Sequence, residues 1–185
     1  FQLKVLGIIR GEELQNKFQE NPTLKLAHEN GMEFRFVTRE AYRNKESLTQ
    51  ISQKEFPEAL IIPEGGTNHR AVEGIQYMLN SETKSFDYLC AAVGTGGTVA
   101  GISKFAEENQ QVLGFKVVDD DSLYNRVVEL SKRNNCKLIE AHDGGYGKIS
   151  DENIRFINVF KEKYGIQLDP IYTGKMMKKI FELID

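Results

Sequence analysis

The stretch Phe86 to Phe105, FDYLCAAVGTGGTVAGISKF, decides how the rest of the chain is read. From Tyr88 to Val93 it is apolar without a break, of strand length and closed by glycine, the pattern of a strand buried on both faces. Gly94 to Thr98 then places three glycines and two threonines directly before a helical pattern. Glycine takes the backbone into positive φ and lets it approach an anion, while the first N–H groups of the next helix point outward without helical partners. Threonine hydroxyls add donors with little bulk. The loop reads as a cradle that surrounds a phosphate monoester with neutral hydrogen bonds, its candidate ligands being Gly94, Thr95, Gly96, Gly97 and Thr98. The plainer reading is a strand-to-helix turn that binds nothing, which leaves the entropic cost of three glycines in five residues without a use.

Outward from this stretch, strands and helices alternate. Upstream, Leu3 to Ile9 has a strand pattern, and Asn21 with Pro22 opens a helix that Gly31 stops. Phe34 to Val37 is a short strand, followed by a charged helix from Arg39 to about Phe56. A strand at Leu60, LIIP, leads into a second glycine turn, Glu64-Gly65-Gly66-Thr67-Asn68-His69, and a helix over Ala71 to Leu79. Downstream, the pattern predicts a helix to Asn109, a strand Val112 to Val118, a helix Leu123 to Asn134 and a strand Lys137 to Ala141. The loop HDGGYGK, His142 to Lys148, precedes a helix capped by Ser150 with Glu152 nearby, running to Lys163, and LDP turns the chain into a last helix. This order means an α/β fold of mostly parallel sheets with helices on both faces, in which ligands bind at the carboxyl ends of strands. Both glycine loops of interest fall at such ends.

The 185 residues are 40% apolar and 28% charged, the balance of a soluble globular protein, and a net charge of −3 argues against a nucleic-acid surface. No apolar run reaches the roughly 18 residues of a membrane span, and no signal peptide opens the chain, so a cytoplasmic protein is expected. Cys90 and Cys136 both sit in strand patterns and read as core thiols of a reducing compartment. His28, His69 and His142 lie far apart without ligand spacing, so a metal site is not expected. The chain opens at Phe1, without methionine and at once into a strand, so an upstream part of the natural protein is expected to be absent.

Two phosphate-bearing cofactors compete for the loop. Gly94 and Gly96 fit the start of GxGxxG and Asp119 ends the next strand, as a dinucleotide site requires, but Val99 holds the third glycine position. The acidic run Asp119 to Asp121 reads equally as a solvated turn. The alternative is pyridoxal 5'-phosphate. The segments VGTGGTVAG, IIPEGGTNHRAVEG, NPTLKLAHENGMEF and LDPIYTGKMM resemble parts of the 1-aminocyclopropane-1-carboxylate deaminase and D-cysteine desulfhydrase family, pyridoxal-phosphate enzymes with the tryptophan synthase β-like (type II) fold. The likeness runs in register from Leu3 to Leu183. It implies that residues 1–52 complete a small α/β domain, that residues 53–185 form most of a large phosphate-binding domain, and that the cofactor lies in the cleft between them. It also implies a small amino-acid substrate and a homodimer as the full-length protein.

Carried over residue by residue, the resemblance gives the cofactor phosphate to Gly94, Thr95, Gly96, Gly97 and Thr98. It gives substrate-facing, catalytic phenols to Tyr172 and Tyr146, implicated in proton handling or in polarising the bound amino acid. A phenol acts as a base only if positive charge lowers its pKa from about 10; otherwise each tyrosine is an interface residue with a satisfied hydroxyl. Thr173 stands where the family meets the pyridine nitrogen of the cofactor. A carboxylate there makes a strong electron sink; a hydroxyl makes a weaker one, adequate for β-elimination. Threonine therefore implies the desulfhydrase branch, D-cysteine giving pyruvate, sulfide and ammonia, with 1-aminocyclopropane-1-carboxylate deamination as the alternative; in the plainer reading Thr173 only caps the last helix. The family's Schiff-base lysine and its Ser-Asn pair lie upstream of Phe1 and the last strand beyond Asp185, so this chain alone is expected to be inactive and to form no covalent cofactor adduct. KVVDDDS, Lys116 to Ser122, departs from the family's usual small connection. A non-catalytic phosphometabolite-binding module and a dinucleotide-dependent enzyme complete the set of readings.

Overall fold

The computed structural model describes residues 3–184 and divides into two compact units, the first ending at Ile61 and the second beginning at Ile62. In the first unit β1 (Val5–Arg10) pairs in parallel with β2 (Met32–Val37), Val5 opposite Met32 and Arg10 opposite Val37. The crossover between them carries α1 (Pro22–Glu29), whose start is capped as the sequence predicts: the Asn21 side chain accepts from the N–H groups of Thr23 and Leu24. Phe18, His28, Phe34 and Phe36 pack edge to face and tilted, with ring centroids 5.0–6.2 Å apart. The single charged helix expected after β2 is two: α2 (Arg39–Arg43) and α3 (Lys45–Glu55). Asn44 leaves helical geometry (φ −86°, ψ 78°), and its side chain accepts from Ser47 N–H, because a short amide competes for backbone donors and starts a new helix.

The expected strand at Leu60 does not form. Leu60 and Ile62 are 66% and 70% exposed, and no described strand lies alongside to accept their ladder hydrogen bonds. An apolar run becomes a strand only with a partner.

The second unit is a three-stranded parallel sheet in the order β3 (Tyr88–Val93), β4 (Gln111–Lys116), β5 (Cys136–Glu140). Before it comes α4 (His69–Gly74), capped by Asn68 and tightening after Gly74 into a 3-10 turn. The crossovers carry α5 (Gly97–Phe105) and α6 (Leu123–Ser131); α7 (Asp151–Tyr164) and α8 (Thr173–Ile184) follow β5. The core lies here: Val72 of α4, Ala91 and Val93 of β3, Val99, Ala100 and Ile102 of α5, and Leu123 and Val127 of α6 are all buried. Ile157, Phe160 and Leu168 form a second cluster with Met177 and Phe181, which seats α8 on α7. Ser150 caps α7 as expected, accepting from Asn153 N–H.

Two expectations for β3 fail for one reason. Only alternate residues, from Leu89 through Ala91 to Val93, enter the core, while Tyr88 is 56% exposed and Cys90 is exposed rather than a core thiol. With period two, the other side chains of β3 stand on the sheet face turned away from α5. Cys136, on β5, is the core thiol, and burial pushes its pKa up to about 11. Among the described residues no helix is long and apolar enough to cross a membrane.

Candidate functional site

Two glycine turns meet at the carboxyl end of β3, and each is shaped to the other. Gly65 has φ 72°, and a Cβ on it would stand 2.6 Å from Thr95 Cγ2; a Cβ on Gly97 would stand 2.7 Å from Thr67 Oγ1. The two threonine hydroxyl oxygens that these glycines admit lie 2.5 Å apart and share a hydrogen bond. Side chains at Gly65 or Gly97 would push the turns apart. Gly96 is left-handed (φ 90°, ψ −8°) immediately before α5, and no side chain caps that helix. The N–H groups of Gly97, Thr98 and Val99 are thus those that a helix start leaves without helical partners.

Between the turns lies a cavity of about 310 Å³ lined by Gly65 to Thr67, Gly94 to Thr98 and Tyr172, with no charged side chain among the described residues on its wall. That is near the lower end of small-molecule sites, roughly 300–1,000 Å³. Arg126 comes near from behind, with Nη1 3.5 Å from the Thr95 carbonyl oxygen, but its other end meets Asp120 at 3.4 Å and the Ser122 hydroxyl at 3.0 Å. The cup therefore offers an anion neutral donors and the positive end of α5. Its residues fit a phosphate monoester. Val99, at the third position of the dinucleotide pattern, is 1% exposed and packed in the core, so close backbone approach is not what that position supplies.

The far wall is Tyr172, whose ring lies over Gly94, with Cε1 3.2 Å from where a Cβ would be. The turn that presents it is built on Asp169. One carboxylate oxygen accepts from Ile171 N–H and Tyr172 N–H, at 2.9 and 2.7 Å, and the other from the Thr173 N–H and hydroxyl, at 2.9 and 2.6 Å. Burial raises the Asp169 pKa, and these donors outweigh it, holding the carboxyl below the usual range. Buried Asn153 donates to the Pro170 carbonyl at 2.9 Å, fixing the same turn from α7. Tyr146 comes from the HDGGYGK loop, its hydroxyl 3.2 Å from that of Tyr172 and the rings at 66°. The shared hydrogen bond first, and burial second, push the Tyr172 pKa up to about 12. That reverses the condition for a phenolate base: Tyr172 keeps its proton.

Of the residues singled out from sequence, Gly94, Thr95, Gly96, Gly97, Thr98 and Tyr172 come together around one cavity, and Tyr146 joins them through Tyr172. Thr173 is not among the described residues lining that cavity, and its hydroxyl donates to Asp169. Lys175 is 2% exposed, its ammonium turned onto main-chain carbonyls at His142 and Gly145. Sequence reasoning saw Gly65, Gly66 and Thr67 only as a second turn; the signal was the shared Gly-Gly-Thr composition of the two loops. Asp169 carried no signal beyond its place before a proline.

No family model matches the chain. Over 180 residues it is 31% identical to a Thermotoga maritima protein provisionally named 1-aminocyclopropane-1-carboxylate deaminase, a match covering 83% of this chain and 57% of that protein. A crystal structure described as that of an ACC deaminase homologue superimposes with a TM-score of 0.78 at 26% identity, covering 98% of this chain and 61% of that one. This chain belongs to the 1-aminocyclopropane-1-carboxylate deaminase and D-cysteine desulfhydrase family. The family's provisionally named Pyrococcus furiosus member is 34% identical over 145 residues, 66% of this chain and 44% of its own length. The mitochondrial bifunctional D-cysteine desulfhydrase/1-aminocyclopropane-1-carboxylate deaminase of Arabidopsis thaliana is 28% identical over 164 residues, 77% of this chain and 40% of its own. The chain spans about half the length of these curated family members. The family's fold, tryptophan synthase β-like or type II, is the fold of this chain.

Proposed function

We propose that this chain holds the phosphate of pyridoxal 5'-phosphate between its two glycine turns and serves the breakdown of a small amino acid. One observation carries the reading. The uncapped start of α5, with Gly94 to Thr98 around it, closes a neutral cavity of about 310 Å³ against Thr67 and Tyr172. Thr95 and Thr98 are exposed; the Thr67–Thr95 pair spends one hydroxyl proton on itself, which leaves its other proton and the Thr98 hydroxyl to donate at the cavity. When bound, the cofactor supplies a sink for the electron pair left as the substrate's α-proton departs. Tyr172, protonated to about pH 12, acts as a donor rather than a base: it holds its proton at Oη and orients or polarises the amino acid beside the cofactor. Tyr146 steadies that hydroxyl and is 63% exposed, where it meets incoming substrate.

The substrate we favour is D-cysteine: β-elimination expels its thiol as sulfide, and one water then hydrolyses the released enamine, as its imine, to pyruvate and ammonia. The family resemblance supports it: at the position that meets the pyridine nitrogen in the family this chain carries Thr173, whose hydroxyl donates to Asp169 here, and no carboxylate to keep that nitrogen protonated. The names of the relatives favour a second reading, deamination of 1-aminocyclopropane-1-carboxylate. Assay of the whole enzyme with both substrates separates them. Sulfide and pyruvate from D-cysteine, with little 2-oxobutyrate from the cyclopropane amino acid, is the expected result. T173E should lower D-cysteine turnover at least ten-fold, while faster turnover of the cyclopropane substrate by the unaltered enzyme would overturn the preference.

A further inference from the structure

The HDGGYGK loop is an improbable piece of backbone to hold still. Asp143, Gly144, Gly145 and Gly147 all have positive φ, at 52°, 88°, 126° and 73°, and Asp143 does so without being glycine. Its own hydrogen bonds are two successive turns, Gly145 N–H to the His142 carbonyl and Lys148 N–H to the Gly145 carbonyl, at 3.0 and 3.3 Å. The buried ammonium of Lys175, reaching out of α8, donates to those same two carbonyls at 2.9 and 3.1 Å. One lysine thus joins both turns of the loop to the helix that follows Tyr172. A second tie, Ser150 Oγ donating to Asp143 Oδ2, anchors the loop's near end to α7 but does not reach Tyr146.

We propose that Lys175 is the positioning residue of the tyrosine pair: by holding the carbonyl groups of His142 and Gly145 it sets the loop so that the Tyr146 hydroxyl meets that of Tyr172. The role rests on the reading of Tyr172 as a substrate-facing donor only for its functional meaning; the geometry is a property of the chain itself. A buried ammonium suits the task because its charged donors gain strength away from water and have no carboxylate within salt-bridge distance among the described residues to draw them off. Because α8 begins one residue after Tyr172, a lysine three positions on shares that turn's rigid frame and transmits it to the loop.

The test reads the free protein, without turnover. In the whole protein labelled at tyrosine Cζ with ¹³C, Tyr172 is assigned by Y172F and titrated, with Tyr146 and Asp169 the ionisable groups that face it. Amide exchange is followed at Gly145 and Lys148. K175M, which keeps the length and removes the donors, should bring the Tyr172 midpoint down from about 12 toward that of an ordinary phenol and speed exchange at both amides at least ten-fold. K175R should retain part of each. Y146F, with the lysine in place, should leave the Gly145 and Lys148 amides protected. A folded K175M with unchanged midpoint and exchange overturns the proposal. So does a Y146F that loosens the two amides, since the loop would then hang on the tyrosine rather than the lysine, and this arm stands even if K175M does not fold. Activity of the cofactor-loaded enzyme is measured separately: loss of the pair's geometry with unchanged turnover would count against the catalytic reading and leave the role of Lys175 intact.

Discussion

Gly97 shows how much of the site hangs on the absence of one carbon. Alanine there would stand 2.7 Å from Thr67 Oγ1, so Thr67 has to move and the Thr67–Thr95 hydroxyl pair parts. We expect G97A to cost about 1–3 kcal/mol in a thermal or denaturant melt, as overpacked positions do. Pyridoxal 5'-phosphate should bind at least ten-fold more weakly to it, and an unchanged affinity in a fluorescence titration would remove Gly97 from the cup. Tyr172 makes a prediction about alkali. Its folded pKa, about 12, lies above the ordinary phenol value of 10, so its contribution to stability is complete below pH 10 and is lost as pH rises toward 12. The melting temperature of the unaltered protein should therefore fall more steeply between pH 10 and pH 12 than that of Y172F. Equal slopes would mean that the phenol is not held neutral by its surroundings.

At the scale of elements, the start of α8 depends on a residue outside it. Asp169 receives three backbone N–H groups and the Thr173 hydroxyl, so it caps the turn and aims Tyr172 at Gly94 together. Replacing it by asparagine leaves an acceptor but removes the charge and one acceptor oxygen. D169N should lose about 1–2 kcal/mol at neutral pH. The Asp169 pKa is lowered in the fold, so its stabilisation is present above the ordinary aspartate value and disappears as pH falls through the folded one. The difference in melting temperature between D169N and the unaltered protein should then shrink below about pH 4, and a constant difference would show that the carboxylate charge adds nothing. A second side-chain tie crosses the sheet: the ammonium of Lys116, a buried residue, meets exposed Glu140 at 2.6 Å and links the ends of β4 and β5.

For the whole molecule, the buried apolar side chains among the described residues fall in the second unit, which also builds the cup. A ligand that binds the cup binds that unit in its folded state, so it should raise its stability by mass action, about 2.7 kcal/mol at a hundred times Kd. Pyridoxal 5'-phosphate should raise the melting temperature, and pyridoxal, lacking the phosphate, should raise it far less. Equal shifts from the two would show that the glycine turns do not carry the binding.

The sequence by itself determined the α/β order, the Asn21 and Ser150 caps and the glycine turn of Gly94–Thr98 between strand and helix, because each is a local matter: hydrophobic period, capping chemistry and backbone freedom are decided within a few residues. Tertiary structure decided the rest. Whether Leu60 to Pro63 forms a strand depends on a neighbour that no local pattern announces, and whether Cys90 is buried depends on which face of β3 is covered by α5. The partnership of Gly65 with Thr95 joins residues thirty positions apart, and the Tyr172 pKa is pushed above that of an ordinary phenol chiefly because Tyr146, twenty-six residues away, folds against it. Such contacts are made by packing between elements, and the energy that fixes them exists only once those elements are together.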